Sequence, residues 1–303
     1  MKTQTGIAFA ADTTPELLDL YHPDDGSKRA AVLMLHGGGW RVGSRADLAR
    51  HAEALAKRGF TAVVADYRLM PAHPWPAQIR DTRAAIKWIR DNAAALGIEP
   101  DRIAALGYSA GAHLALLAAG DPDGVAAADN LGRQPLNAVI PLEPLIGLQA
   151  GEFEPGYTPA WILFGAEPVA PRDLRAVSPM TYVRHDFPPS CFFHGVEDVQ
   201  IPFVACVKIH QALSAVGAVS DLHLLSTYAH AVWRIKSLIE PCMGIVAAFL
   251  DRTMVDPETY AAERAAFWAE VPMGRPLTVQ PMEIPIRRYP AASLPSEKAE
   301  AAG

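Results

Sequence analysis

The 303-residue sequence is poor in three things that would direct it toward particular partners. It has only three cysteines, Cys191, Cys206 and Cys242, an odd number at wide spacing. That fits neither a disulfide framework nor the paired spacing of a zinc site, so they read as buried free thiols. It has no basic excess: 27 Lys and Arg against 33 Asp and Glu give a formal net charge of -6. Without a cationic face for phosphates, nucleic acid is not an expected partner. It also has no apolar run that approaches a membrane span. The opening MKTQTGIAFAAD ends in an Ala-Phe-Ala that imitates a cleavage site, but its apolar stretch is far shorter than the roughly 7–15 residues of a signal peptide. The expectation is a cytoplasmic protein acting on small molecules. What is plentiful is apolar sequence, 50% hydrophobic with 20% charged, the balance of a globular chain with one large core or two smaller ones.

Short apolar runs alternate with segments of helical period, the pattern of a mostly parallel sheet flanked by helices. Ala31–Leu35, Phe60–Ala65, Ile103–Leu106, Ala138–Ile140, Cys191–Phe193 and Leu222–Leu225 read as strands buried on both faces. Asp47–Arg58, Ala77–Leu96 and Pro202–Val216 read as helices, each followed by a glycine (Gly59, Gly97, Gly217) suited to a left-handed cap. A last helix is expected over Val232–Leu250. The first 25 or so residues predict a strand pair, Gly6–Ala10 and Glu16–Tyr21, closed around Asp12-Thr13-Thr14-Pro15. That leaves no room for an N-terminal cap domain. The chain divides into a catalytic domain over residues 1–250 and an extension over 251–303. In the extension, Asp256–Val271 predicts a helix with Tyr260, Phe267, Trp268 and Val271 as an apolar stripe. The stripe either packs on its own domain or exchanges with a neighbour to build a homodimer, with the Pro-rich run Leu277–Pro290 as an arm. The last ten residues are expected to be disordered.

Two motifs carry chemistry. Gly107-Tyr108-Ser109-Ala110-Gly111 lies between a predicted strand and a predicted helix, the context of a nucleophile elbow whose glycines allow a tight turn. Alone it is weak, since roughly one chain of this length in ten carries the pattern by chance. His36-Gly37-Gly38-Gly39-Trp40 also follows a predicted strand, and its first four residues arise by chance in only about a few chains per thousand. Together they place Gly38, Gly39 and Ala110 as N–H donors to the oxyanion of an acyl-transfer intermediate.

A serine hydroxyl needs a histidine to take its proton and a carboxylate to fix that histidine's tautomer. With the order serine, acid, histidine, the early His22, His36, His51 and His73 drop out. His113 belongs to the helix behind the elbow. His230 follows the last predicted strand and is the expected base; His194 is expected only to shape a turn, and His210 and His223 lie on helix and strand faces. On the loop after Cys191–Phe193, Asp198 is preferred over Glu197 as the acid, while Asp186 and Asp221 read as solvated turn residues. Glu143, after Leu142, puts a carboxylate near the site, facing either substrate or a salt bridge. Candidate pocket walls are Trp40, Tyr108, Trp75, Phe203 and Trp233, with core packing an equal alternative for such aromatics.

With these motifs, and with Ala65-Asp66-Tyr67-Arg68-Leu69, Pro100-Asp101-Arg102-Ile103, Ser178-Pro179-Met180 and the segment from His194 to Pro202, the chain resembles the hormone-sensitive-lipase-like and carbohydrate-esterase-like branch of the α/β-hydrolases. The likeness covers residues from about 5 to about 250. It implies the α/β-hydrolase fold, a serine carboxylesterase for short acyl or aryl esters, and no cofactor or metal. Tyr108 and the segment around Asp198 depart from the lipase-like group and favour the carbohydrate-esterase-like side. An amidase or kynurenine-formamidase-like activity on the same triad, or a silent binding protein of the same fold, are the alternatives.

Overall fold

The structure, a computed structural model, describes residues 1–9, 16–24, 26–120, 136–148, 163–165 and 171–270. Eight strands form one sheet: β1 (Lys2–Ala8), β2 (Leu17–His22), β3 (Ala31–Leu35), β4 (Thr61–Ala65), β5 (Ile103–Tyr108), β6 (Ala138–Leu142), β7 (Ser190–Gly195) and β8 (Ser220–Leu225), in the order β1-β2-β4-β3-β5-β6-β7-β8. β1 and β2 pair antiparallel, β2 runs antiparallel to β4, and β4 through β8 are parallel. The helices are α1 (Ala49–Ala56), α2 (Ala77–Asp91), α3 (Ala93–Leu96), α4 (Ala110–Gly120), α5 (Pro171–Ala176), α6 (Val204–Ala215), α7 (Lys236–Leu250) and α8 (Pro257–Glu270).

Successive strand residues point to opposite faces, and every residue of β3 through β7 is buried. Leu33, Val63, Ala105, Val139 and Phe192 pack under Ile86 of α2, Leu114 of α4 and Ile209 of α6. Met34, Val64, Leu106, Ile140 and Phe193 pack on the other side against Leu55 of α1 and Met243 and Val246 of α7. This two-sided burial is why the central strands read as continuous apolar runs rather than alternating ones.

Three differences from the sequence reading have physical causes. The helix expected over Val232–Leu250 is broken: a 3-10 turn spans Val232–Arg234, Ile235 is extended, and α7 starts at Lys236. Outside contacts hold that turn, with Glu143 accepting from Ala231 and Val232 and His51 donating to the Trp233 carbonyl. The domain boundary does not fall at residue 250, because α7 runs into a π-helical turn, Asp251–Val255, that carries Met254 into the core and pairs Asp251 with Lys28. The compact unit therefore extends to Tyr260, and Ala261–Gly303 form a second unit. Asp221 is a strand residue of β8 ion-paired with Arg252, not a solvated turn residue. Tyr260 and Phe267 are exposed. The Trp268 side chain, Val271, the run 277–290, the last ten residues and the turn 12–15 lie outside the described residues. Among the described residues no helix is long and apolar enough to cross a membrane.

Candidate active site

β5 ends at Tyr108, Ser109 turns the chain with φ 50°, and α4 starts at Ala110. A left-handed serine costs on the order of 1–3 kcal/mol. Its neighbours hold it there: the Ser109 N–H donates to the Leu142 carbonyl at 2.9 Å, and the Ser109 carbonyl accepts from His113 N–H at 3.0 Å. The motif glycines are required by close approach. A Cβ on Gly107 would lie 2.3 Å from the Gly111 carbonyl, and one on Gly111 would lie 2.3 Å from the Leu35 carbonyl. The helix start is thus packed directly on the end of β3.

The loop after β3 runs beside the nucleophile, since a Cβ on Gly37 would lie 3.5 Å from Ser109 Cβ. Gly38 has φ 112° and its carbonyl accepts from both Arg41 and Val42 at 3.1 Å, closing the loop into a tight turn. The N–H groups of Gly38 and Gly39 donate to no acceptor among the described residues, which leaves them free for a developing oxyanion together with Ala110 N–H. His36 is buried below, stacked on Tyr67 at 4.2 Å, and the Tyr67 hydroxyl donates to its carbonyl at 2.8 Å.

On the other side, His230 Nε2 lies 3.2 Å from Ser109 Oγ, and its Nδ1 lies 2.7 Å from Asp198 Oδ2. Nδ1–H donates to the carboxylate, leaving Nε2 to accept from the hydroxyl. Asp198 is buried, and its Oδ1 accepts from the N–H groups of Gln200 and Ile201, both at 2.9 Å. Burial alone would raise its pKa, but the hydrogen bonds from His194 and His230 outweigh it and hold the carboxyl well below the usual carboxylate range. Burial likewise opposes the charged form of His230, yet the hydrogen bond to Asp198 and the charges of Asp198 and Glu143 raise its pKa above the ordinary 6.5. Glu197 points into solvent.

Two residues have more to do than the sequence suggested. His194 Nε2–H is shared between Asp198 Oδ2 at 3.1 Å and the Ile201 carbonyl at 2.9 Å, while its Nδ1 lies 3.1 Å from Cys206 Sγ. Burial keeps the Cys206 thiol protonated, so it donates to Nδ1. His194 therefore braces the acid as well as ending β7. A histidine directly after the buried apolar run Cys191–Phe193 and four residues before the acid was the available signal. Of the two alternatives for Glu143, the structure shows the ion pair, with His230 Nδ1 3.7 Å from its Oε2; in addition its Oε2 accepts from Ala231 N–H at 2.6 Å and its Oε1 from Val232 N–H at 3.2 Å. Burial raises its pKa, opposed by His230 and these two N–H groups. Glu143, Asp198 and His230 bring ligand-type atoms within 4.8 Å of one another, as do Cys191, Asp221 and His223. In the first group each atom already serves a protein hydrogen bond, and in the second Asp221 is paired with Arg252.

Of the proposed pocket walls, Trp40 and Tyr108 belong to the core instead, at 1% and 0% exposure. Trp40 meets the His113 ring edge-on at 5.2 Å, and Tyr108 packs between His51 and Trp233. Both neighbour a motif residue whose backbone turns toward the site, which sends their own rings the other way. Trp75, Phe203 and Trp233 are half-buried. Trp233 is the one shown beside the nucleophile, its Cζ2 being 3.6 Å from the Cβ position of Gly37.

Residues 18–213 match the BD-FAE family, about two thirds of the chain and including the triglycine loop after β3, Ser109, Glu143 and Asp198. The chain belongs to the BD-FAE family. Esterase LipQ of Mycobacterium tuberculosis is 28% identical over 251 residues, covering 78% of this chain and 59% of LipQ. Carboxylesterase NlhH of the same species is 43% identical over 90 residues, covering 29% of this chain and 28% of NlhH. The aligned part thus spans well under two thirds of these curated relatives. Among solved structures, the native form of Est2, a thermophilic esterase from Thermogutta terrifontis, superposes with TM-score 0.71 at 28% identity, covering 82% of this chain and 91% of that one. This BD-FAE member has the α/β-hydrolase fold, with Ser109, Asp198 and His230 brought together at the C-terminal ends of β5, β7 and β8.

Proposed function

We propose that the protein is a serine carboxylesterase that hydrolyses short acyl or aryl esters through an acyl-serine intermediate. The reading is carried by the continuous hydrogen-bonded line from Ser109 Oγ through His230 to Asp198, at 3.2 and 2.7 Å. His230 Nε2 takes the hydroxyl proton as Oγ attacks the ester carbonyl carbon. The carbonyl oxygen becomes an oxyanion facing the N–H groups of Gly38, Gly39 and Ala110. The imidazolium, stabilised by Asp198, then gives its proton to the departing alcohol oxygen, leaving the acyl group on Ser109. Water attacks that ester with its proton passing to His230, and collapse releases the acid and the free serine. No cofactor enters any step.

The size range of the acyl group is supported by relatives: Est2 is described with propionate and with butyrate bound, and an arylesterase of Saccharolobus solfataricus is 35% identical over 133 residues. Three buried free cysteines fit a cytoplasmic setting, with small-molecule esters rather than nucleic acid or membranes as partners. The test is a panel of acetyl, butyryl, longer acyl and feruloyl esters with an N-formyl aromatic amine, run on the wild type and on Ser109→Ala. The variant should stay folded and keep only the oxyanion and binding contribution, about 1,000-fold over water. Near wild-type turnover in Ser109→Ala would overturn the mechanism. Activity rising steadily to twelve carbons would overturn the short-chain preference, and faster cleavage of the formyl amide would make the protein a formamidase.

A further inference from the structure

The reaction as written makes no use of Glu143. Its side chain is fully buried, with 0% exposure, and a carboxylate in such a place is costly unless its oxygens are satisfied. Both are satisfied by the backbone behind the catalytic base: Ala231 N–H at 2.6 Å and Val232 N–H at 3.2 Å. The Glu143 N–H in turn donates to the Phe193 carbonyl at 2.8 Å. Glu143 and Ala231 are both left-handed, with φ 51° and 68°, conformations that cost a non-glycine residue energy and persist only where the surroundings impose them. One residue, through its N–H and its side chain, therefore ties the ends of β6 and β7 to the two residues that follow His230.

The same arrangement puts Glu143 Oε2 3.7 Å from His230 Nδ1, on the nitrogen already bonded to Asp198 at 2.7 Å. We propose that Glu143 is a positioning residue for His230, holding the imidazole in place through the Ala231 and Val232 amides and standing as a second carboxylate charge near Nδ1–H, which it can accept once Asp198 is removed. The inference rests on the triad reading. The groups facing the imidazole are Ser109 on the elbow, Asp198 on the loop after β7 with His194 behind it, and Glu143 after β6; Cys206 on α6 reaches only His194. Two carboxylates thus favour the protonated imidazole, and removing either makes it a weaker base.

The experiment is the pH profile of ester hydrolysis for wild type, Glu143→Gln, Glu143→Asp, Asp198→Ala and the Asp198→Ala/Glu143→Gln double variant, with Ser109→Ala as the reference for lost chemistry. Glu143→Gln should lower kcat by about 10-fold or more with KM within about 2-fold, and should move the acid limb of the profile to lower pH because the uncharged amide no longer raises the basicity of His230. Glu143→Asp keeps the charge, so its acid limb should stay near that of the wild type although kcat falls. Asp198→Ala should remain about 10-fold above the Ser109→Ala level because Glu143 accepts Nδ1–H in its stead, and the double variant should lose that remainder. An acid limb in Glu143→Gln that coincides with the wild type would overturn the proposal. If the Gln variant does not fold, an Asp198→Ala enzyme no more active than Ser109→Ala would overturn it equally. An active Ser109→Ala would instead strike at the triad reading, so the two failures are distinguishable.

Discussion

Around Ser109 the chain is held by backbone pressed against backbone, with Gly107 against Gly111 and Gly111 against the Leu35 carbonyl, leaving no room for a methyl group. Around His230 it is held by side chains reaching to backbone and to each other: Glu143 to Ala231 and Val232, His51 to Trp233, and Asp198 to Gln200, Ile201 and His230. The first half is rigid through steric exclusion. The second is rigid through a buried polar network, in which each member depends on its partners. Steric exclusion fails by unfolding, whereas a polar network can lose chemistry while the fold survives.

The sharpest way to test that contrast is inside the network. Asp198→Asn should lower kcat by about 10,000-fold by spoiling the histidine tautomer, with a cooperative unfolding transition retained, whereas Glu197→Gln should leave turnover within about 2-fold. Steady-state kinetics beside thermal melts would read both, and a reversed pair of effects would make Glu197 the acid. In the steric half, Gly111→Ala should cost about 3 kcal/mol of stability, seen as a lowered denaturation midpoint, and activity should fall only as folded protein is lost. A stable but inactive Gly111→Ala would erase the distinction.

A smaller effect is shared between the halves. His113 behind the nucleophile and His51 behind Trp233 are both buried, and burial outweighs their hydrogen bonds to Val177 and Trp233 to depress each pKa to about 4. Unfolded histidine takes up a proton near 6.5, so the unfolded state gains protons first as pH falls. Their contribution is fully present above about 6.5 and is lost toward pH 4, on the order of 3 kcal/mol each. Denaturant midpoints measured across that window should decline, and the decline should be shallower in His113→Gln. A midpoint independent of pH would show that neither histidine is held neutral.

The same contrast explains what could be read in advance. The elbow and the triglycine loop are local: strand, tight turn and helix lie within a dozen residues, so spacing alone exposes them. The buried runs that became β3 through β7 were legible for the same reason, with shifts of one or two residues at their ends. Glu143 was not legible in role, because its partner lies 88 residues away, across strand neighbours that only the assembled sheet defines; His194, four residues before Asp198, left a local signal, but spacing alone does not tell a brace from a turn residue. Trp40 and Tyr108 were misplaced because an aromatic beside a motif looks the same whether its ring faces the pocket or the core. The break at Ile235 was invisible because outside hydrogen bonds, rather than a proline or glycine, impose it.

The strand order also bears on how the protein is made. β5, which carries the nucleophile, lies in mid-sheet between β3 and β6, and Ser109 meets a histidine 121 residues later in the chain. A nascent chain leaving the ribosome can lay down β1 through β5 and build the elbow early, but the base is not yet synthesised. On the proposed mechanism the triad is complete only when the last strand has docked and His230 lies beside Asp198. A product truncated before residue 230 would carry Ser109 and the triglycine loop and yet lack the proposed base, so on that mechanism incomplete chains would hydrolyse no ester.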